Sequence, residues 1–380
     1  MSHTLHCPTK LIFSDDAGAD LVREVGGLPS GRALVVTDPG IVNAGIAAPL
    51  TDALNQSGRD PEVFTEIPSN PGVSDVRAAV AAARGIGPAI IVASGGGSAI
   101  DVAKAVGLLL AHDGDDWEDF QWGRTPVTRE SLPTIAIPTT AGTGSEASHV
   151  AVIGDRSSFK KGLVHPTLFP RVAIVDAKLT LSLPPSLTAA TGMDALTHAL
   201  EAYLGKRANP SSDLFALAAL RNIVRWLSQA THQGDNVNAR REMAQAAAWA
   251  GIAMDHAGLG LCHALCGPLS ARYRVHHGLG NALLLPAVLD FNAEAIPAAR
   301  WPALRDALSL TPGKAKPHDL ATWARDFVAR LGLPTNLRAI GVDAMTFDAM
   351  AEEATRMAMI ANNCRPAGAA ECLAVLKAAL

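Results

Sequence analysis

Two kinds of hydrophobic pattern divide the chain. Between residue 32 and about residue 176, short continuous apolar runs alternate with Ala-rich stretches of helical spacing. RALVVTD (32–38), PAIIVASGGG (88–97), PTIAIPTT (133–140) and RVAIVD (171–176) predict strands, and SAIDVAKAVGLLLA (98–111) predicts a helix after the second. Continuous apolar strands separated by helices predict a parallel sheet covered on both faces, with ligands at the carboxyl ends of the strands. After SLPPSL (182–187) the strand-like runs stop, and Ala/Leu helical periodicity continues to Leu380. Pro184 and Pro185 mark the change, since proline restricts itself and the residue before it. The pattern predicts an α/β nucleotide-binding domain over 1–182 and an all-α domain over 183–380. Within the second, Asn209-Pro210, Pro268, Gly278 and Thr311-Pro312-Gly313 are expected to punctuate the helices.

The 380 residues suffice for two ordinary domains. Composition narrows the class of protein. A formal net charge of -4 argues against a nucleic-acid partner, which calls for a basic face. No apolar run reaches the ~18 residues of a membrane span. The start, MSHTLHCPTKLIF, lacks the basic-then-apolar order of a secretion signal. The five cysteines are an odd count in a large chain and read as reduced thiols, so a cytoplasmic protein is expected.

Chemistry concentrates in four stretches. SGGGSAIDVAK (94–104) follows a strand and opens a helix, so Gly96, Gly97 and Ser98 can bring backbone N–H groups to a phosphate. Its spacing is not the G-x-G-x-x-G fingerprint, and a plain tight turn is the alternative. PTTAGTGSE (138–146) also follows a strand and offers the hydroxyls of Thr139, Thr140, Thr143 and Ser145; a Ser/Thr helix cap would use the same residues. Asp38 ends the first strand, where a carboxylate can accept hydrogen bonds from an adenosine ribose, or can simply start a turn before Pro39.

The other two stretches carry candidate metal ligands. In GMDALTHALEAY, Asp194 and His198 lie four apart on one helical face, which is half of a metal site or an ordinary acid–base contact. In GLCHALCGPLSARYRVHHGLGNA, His263 and His277 are fourteen apart. One carboxylate and three imidazoles suit Fe(II), Zn(II) or a similar ion with a position left open for substrate oxygen.

In this order, GGGSAIDVAK, PTTAGTGSE, GMDALTHALEAY and GLCHAL…HHGLGNALLLP resemble the iron-containing (group III) alcohol dehydrogenase family. The resemblance implies a dehydroquinate-synthase-like architecture: a nucleotide-binding α/β domain, a helical metal domain and a cleft between them. It implies metal ligation by Asp194, His198, His263 and His277, with His263 and His277 also classed as catalytic. It implies nucleotide contacts at Asp38, Asn70, Gly96, Gly97, Ser98, Thr139, Thr140, Thr143, Lys160 and Leu179, with NAD as the nucleotide. The implied reaction is hydride transfer between NAD(H) and a small alcohol or aldehyde whose oxygen meets a divalent ion, in a homodimer or larger homo-oligomer. His149, Met254 and His256 are the expected pocket wall. Gly267 stands where many members carry histidine, Met254 where many carry Phe, and His256 where many carry Asn; His256 and His276 are alternative proton carriers. The competing expectations are a glycerol-dehydrogenase- or dehydroquinate-synthase-like metal enzyme, the latter needing converging basic residues beyond Arg272 and Arg274, and a non-catalytic nucleotide-binding scaffold.

Overall fold

The computed structural model describes residues 2–112, 116–156 and 160–380, with only the backbone of Lys160. The chain forms two compact units. One contains His6–Thr140 and Gly144–Ser182; the other contains Leu183–Leu380, Ala141–Thr143 and the N-terminal stretch through Leu5.

Among the described residues the first unit has eight strands: β1 (Lys10–Ser14), β2 (Ala33–Val36), β3 (Pro61–Phe64), β4 (Ile90–Gly95), β5 (Thr134–Pro138), β6 (Val150–Gly154), β7 (Lys160–Val164) and β8 (Val172–Asp176). Six form a wholly parallel sheet in the order β1-β8-β5-β4-β2-β3, and β6 and β7 pair as a separate antiparallel hairpin. The helices are α1 (Ala17–Val25), α2 (Pro39–Asn43), α3 (Ala47–Gln56), α4 (Val73–Ile86), α5 (Gly97–Ala111) and α6 (Trp117–Gln121).

Alternate strand residues point to opposite faces. Ala33, Val35, Ile90 and Val92 pack with Leu21 of α1 and Leu50 and Leu54 of α3. Leu34, Val36, Ile91 and Ala93 pack with Val76 and Ala79 of α4 and Ile100 and Val106 of α5. Burial on both faces is why these runs lack polar alternation. It also creates a switch point. From β2 the chain leaves over the α3 face, and from its neighbour β4 it leaves over the α5 face. The two loops diverge and open a crevice at the strands' carboxyl ends.

The second unit is helical: α7 (Pro185–Leu204), α8 (Pro210–His232), α9 (Val237–Ala257), α10 (Leu261–Tyr273), α11 (His277–Asn292), α12 (Trp301–Ala307), α13 (Asp319–Arg330), α14 (Phe347–Thr355) and α15 (Ala369–Ala378). The strands β1, β3, β6 and β7 were not foreseen from the sequence: β3 (PEVF) is only partly covered, and an edge strand does not show the continuous apolar run of a central one. Asn209-Pro210 does start a helix, with Asn209 accepting from the N–H groups of Ser211 and Ser212. Pro268 does not punctuate. α10 runs through it to Tyr273 and ends at Arg274, whose φ of 52° is left-handed. Leu261–Ser270 is buried throughout, so tertiary packing outweighs the lost N–H bond.

Gly278 is the closest point in this packing. It lies in the first turn of α11, and a Cβ there would overlap the carbonyl oxygen of Ala190 and stand 3.2 Å from the Asp194 Cβ. Only a hydrogen fits, so α11 presses directly on α7. Gly278→Ala is expected to destabilise the protein by about 1–3 kcal/mol, the usual range for overpacking, measured by urea unfolding. An unchanged midpoint would show that α11 can shift without cost.

Candidate metal centre and nucleotide crevice

α7 is buried along almost its whole length, and its row of Asp194, His198 and Glu201 is polar at i, i+4 and i+7. His263 enters from the first turn of α10 and His277 is the first residue of α11. The three imidazole Nε2 atoms converge on one oxygen. Asp194 Oδ1 lies 3.8 Å from His198 Nε2, 3.6 Å from His263 Nε2 and 3.9 Å from His277 Nε2. The His198 and His263 rings stack at 4.7 Å, and His263 meets His277 at 5.3 Å. Asp194, His263 and His277 offer donor atoms all within 4.8 Å of one another. His198 stands one step outside that tightest set, with its ring already facing Asp194.

A buried carboxylate is costly unless compensated. Burial pushes Asp194 up, but the surrounding histidines outweigh it and hold the carboxyl well below the usual range. Burial wins at His198 and lowers it to about 4. At His263 burial also opposes charge, but Glu201 and Asp194 overcome it and raise the ring to about 9. The cluster is thus an anionic oxygen ringed by imidazoles, three of the four groups at most 4% exposed. One hard oxygen and three nitrogens converging on a common point is a donor set that fits a divalent first-row ion.

The α/β unit presents a second candidate site at the β2–β4 crevice. Asp38 caps α2, accepting the Ile41 N–H through Oδ1 (3.2 Å), while Oδ2 faces Gly95. Gly95 has a φ of 156°, and a Cβ on it would come within 2.8 Å of the Ala99 Cβ. A Cβ on Gly96, the side-chain-free N-cap of α5, would touch the Thr140 methyl at 3.4 Å. The cradle is therefore open at the backbone and closed by small side chains, as a phosphate needs. Ser98 donates to the Ser69 carbonyl at 2.8 Å, beside the exposed Asn70. Thr139 Oγ1 is buried and has no hydrogen-bond partner among the described residues.

The N-terminal part of the chain, residues 8–177, matches the iron-containing alcohol dehydrogenase family, and residues 188–380 match that family's C-terminal domain. The chain belongs to the iron-containing alcohol dehydrogenases. It is 41% identical over 327 residues to 4-hydroxybutyrate dehydrogenase of Cupriavidus necator, covering 83% of this chain and 84% of that one. Its fold is similar to the crystal structure of 1,3-propanediol oxidoreductase (TM-score 0.94, 33% identity, 100% of both chains). It is also similar to sulfoacetaldehyde reductase from Bifidobacterium kashiwanohense in complex with NAD+ (TM-score 0.89, 29% identity, 100% of this chain and 98% of that one). As a member of this family it is a metal-dependent alcohol or aldehyde oxidoreductase.

The remaining sequence-derived positions of this iron-type alcohol dehydrogenase fall as follows. Leu179 lies in a 3-10 turn after β8 and packs on the core shared with α1 and α3. Thr143 and Gly142 group with the helical unit, where a Cβ on Gly142 would stand 2.6 Å from the Thr191 carbonyl oxygen. The side chain of Lys160 lies outside the described residues. His149 stacks on Phe169 at 5.0 Å. Met254 packs on the helical core, and His256 bonds the Ile252 carbonyl through Nδ1 at 2.8 Å. Gly267 lies beneath Met357, whose Cε would be 3.1 Å from an added Cβ.

Two residues escaped the sequence reading. Asn281 donates to Asp194 Oδ1 at 2.7 Å and faces His263 Nε2 at 3.0 Å. Glu201 bonds His263 Nδ1 at 2.6 Å. The signal for Glu201 was present in the i, i+4, i+7 polar row of an otherwise apolar helix; Asn281 gave none beyond being polar in LGNALLL.

The loop PTTAGTGSE holds a further buried charge. Lys104 of α5, 1% exposed, donates to Ser145 Oγ (3.1 Å) and to the carbonyls of Ser148 (2.9 Å) and Val150 (2.8 Å). Glu146 is buried beside it, and desolvation, only partly offset by its own backbone N–H and Lys104, pushes it up to about 7. Because its folded pKa lies above the ordinary value of 4.5, the folded state holds the extra proton between those two values. Its stabilising share is complete below pH ~4.5 and is lost as pH rises through about 7. Glu146→Gln is therefore expected to flatten that decline and to gain stability relative to wild type at pH 8, by up to ~3 kcal/mol. Urea unfolding at pH 5 and pH 8 checks this, and parallel curves for the two proteins would refute it.

Proposed function

We propose that this chain transfers a hydride between NAD(H) and a small alcohol or aldehyde, with a divalent ion, iron or zinc, held by Asp194, His198, His263 and His277. The observation that carries the reading is the convergence of three Nε2 atoms on Asp194 Oδ1 within 3.6–3.9 Å. An ion held there supplies Lewis acidity, stabilising charge on an alcohol oxygen or polarising a carbonyl. The protein's part is to fix the donors and keep them dry. Asp194 supplies the single negative charge, and the imidazoles supply neutral nitrogens. His277, with a side chain 35% exposed, is the donor reached by solvent and substrate. Met254 and His256 contribute pocket wall from the helical unit.

NAD is supported by the relative whose structure was determined with it and by Asp38. The Asp38 oxygen facing Gly95 is the one left for a ribose hydroxyl, and its charge repels a 2′-phosphate. Gly96, Gly97 and Ser98 take the phosphates, with Asn70, Thr139, Thr140, Thr143, Lys160 and Leu179 as further contacts and His149 as pocket wall. A sugar-phosphate lyase is less well supported, because Arg272 is engaged by Glu353 and Arg274 is an exposed helix cap. No helix among the described residues is long and apolar enough to cross a membrane, and the described cysteines form no disulfide. A cytoplasmic location is compatible with both, and a homo-oligomer is proposed on the family resemblance alone.

Two substitutions test the reading. His263→Ala is expected to remove bound metal and nearly all turnover while circular dichroism stays native; full activity without metal would defeat it. Asp38→Gly is expected to raise the use of NADP relative to NAD, measured as the ratio of kcat/KM values. Glycine also serves as a helix cap, so the stability loss should be only a few tenths of a kcal/mol. An unmoved cofactor ratio would remove the ribose role.

A further inference from the structure

Glu201 occupies an unusual place for a buried carboxylate. It is 7% exposed, and its described hydrogen-bond donors all come from one short stretch. Oε2 accepts from the Gly260 N–H (2.9 Å) and from His263 Nδ1 (2.6 Å), while Oε1 accepts from the Cys262 N–H (2.6 Å). Gly260 is the N-cap of α10 and brings no side chain to the task. The carboxylate from α7 therefore does the capping, where the positive end of the helix favours it.

The same atom decides which nitrogen of His263 carries a proton. A carboxylate only accepts, so the Nδ1 that meets it must donate. When the ring gives up its second proton to take an ion, Nε2 is the nitrogen left with a lone pair, and it is the one that faces Asp194. At His277 the Nδ1 lies 3.3 Å from the thiol of Cys266, a weaker hydrogen-bonding group than a carboxylate. The His263 ring is thus fixed by the same carboxylate that holds the backbone of its own turn at Gly260 and Cys262.

We infer that Glu201 is a positioning residue for metal binding: it fixes the tautomer and orientation of His263 so that Nε2 is presented to the ion. This rests on the metal reading above and adds a residue to it. Partners of this kind typically change metal affinity 10–100-fold. Glu201→Gln keeps the shape but cannot accept all three hydrogen bonds.

The test is Zn(II) affinity of the full chain, by competition with a chromogenic chelator, together with thermal unfolding. The expected result is a folded Glu201→Gln protein whose zinc Kd is raised 10–100-fold. A lowered Tm with a zinc Kd within threefold of wild type would reduce Glu201 to a helix cap and overturn the inference. Should the variant not fold, 15N-histidine NMR of the zinc-loaded wild type decides. His263 with a protonated Nδ1 and a zinc-ligated Nε2 supports the assignment, and the reverse pattern overturns it. A wild-type chain that takes up no Zn(II), Fe(II) or Co(II) would overturn the metal reading itself, and this inference with it.

Discussion

The helical unit is arranged around a carboxylate that is almost out of reach of water. Asp194 is 3% exposed, and an ionised group there costs several kcal/mol unless its surroundings repay it. Apolar packing cannot do so. Repayment requires donors or positive charge within a few ångströms, and three helices deliver them: the Asn281 amide from α11 and imidazoles from α7, α10 and α11. A divalent ion held there, as proposed above, would add the positive charge that completes the compensation. It would take over charge that imidazoles otherwise bear against the opposition of burial, an opposition that the depression of His198 shows.

That requirement explains the composition of the helices. Bringing His277 and Asn281 to Asp194 demands that α11 approach α7 closely, and Gly278 is the residue that permits it. Gly192, six residues before His198 on α7, is covered by Leu227 of α8 with no space for a Cβ. The Ala-rich character of the chain follows: small residues let helices carrying functional groups meet at short range, while Leu and Met fill the gaps around them. Helix α10, buried from Leu261 to Ser270, tolerates Pro268 for the same reason, since its neighbours fix its path.

The α/β unit solves a different problem. A dinucleotide carries its own charge and its own polar edges, so the protein must chiefly get out of the way. On the proposed reading, Gly95 and Gly96 leave space for it between the diverging connections after β2 and β4. Asp38 caps α2 through one oxygen and turns the other toward Gly95, which leaves it available for the ribose role proposed above. The alternative between turn former and nucleotide contact, open in the sequence, need not be a choice.

How far the sequence discloses such an arrangement depends on the range of the interaction. Central strands announce themselves because burial on both faces forces continuous apolar runs; β3, at the edge, is under no such constraint and reads as nothing in particular. The spacing of Asp194 and His198 is local and visible on a helical face. The meeting of His263 and His277 with them is not local: the residue types suggested a four-ligand set, and the family resemblance gave it weight. Glu201 shows the limit most clearly. It lies on the same helical face as two candidate ligands, seven residues from the first, yet a polar residue on an apolar face has no readable purpose until its partner is known. That partner is sixty-two residues away, at the start of another helix. Its task there, holding one imidazole nitrogen so that the other is free, belongs to the pair and to neither residue alone.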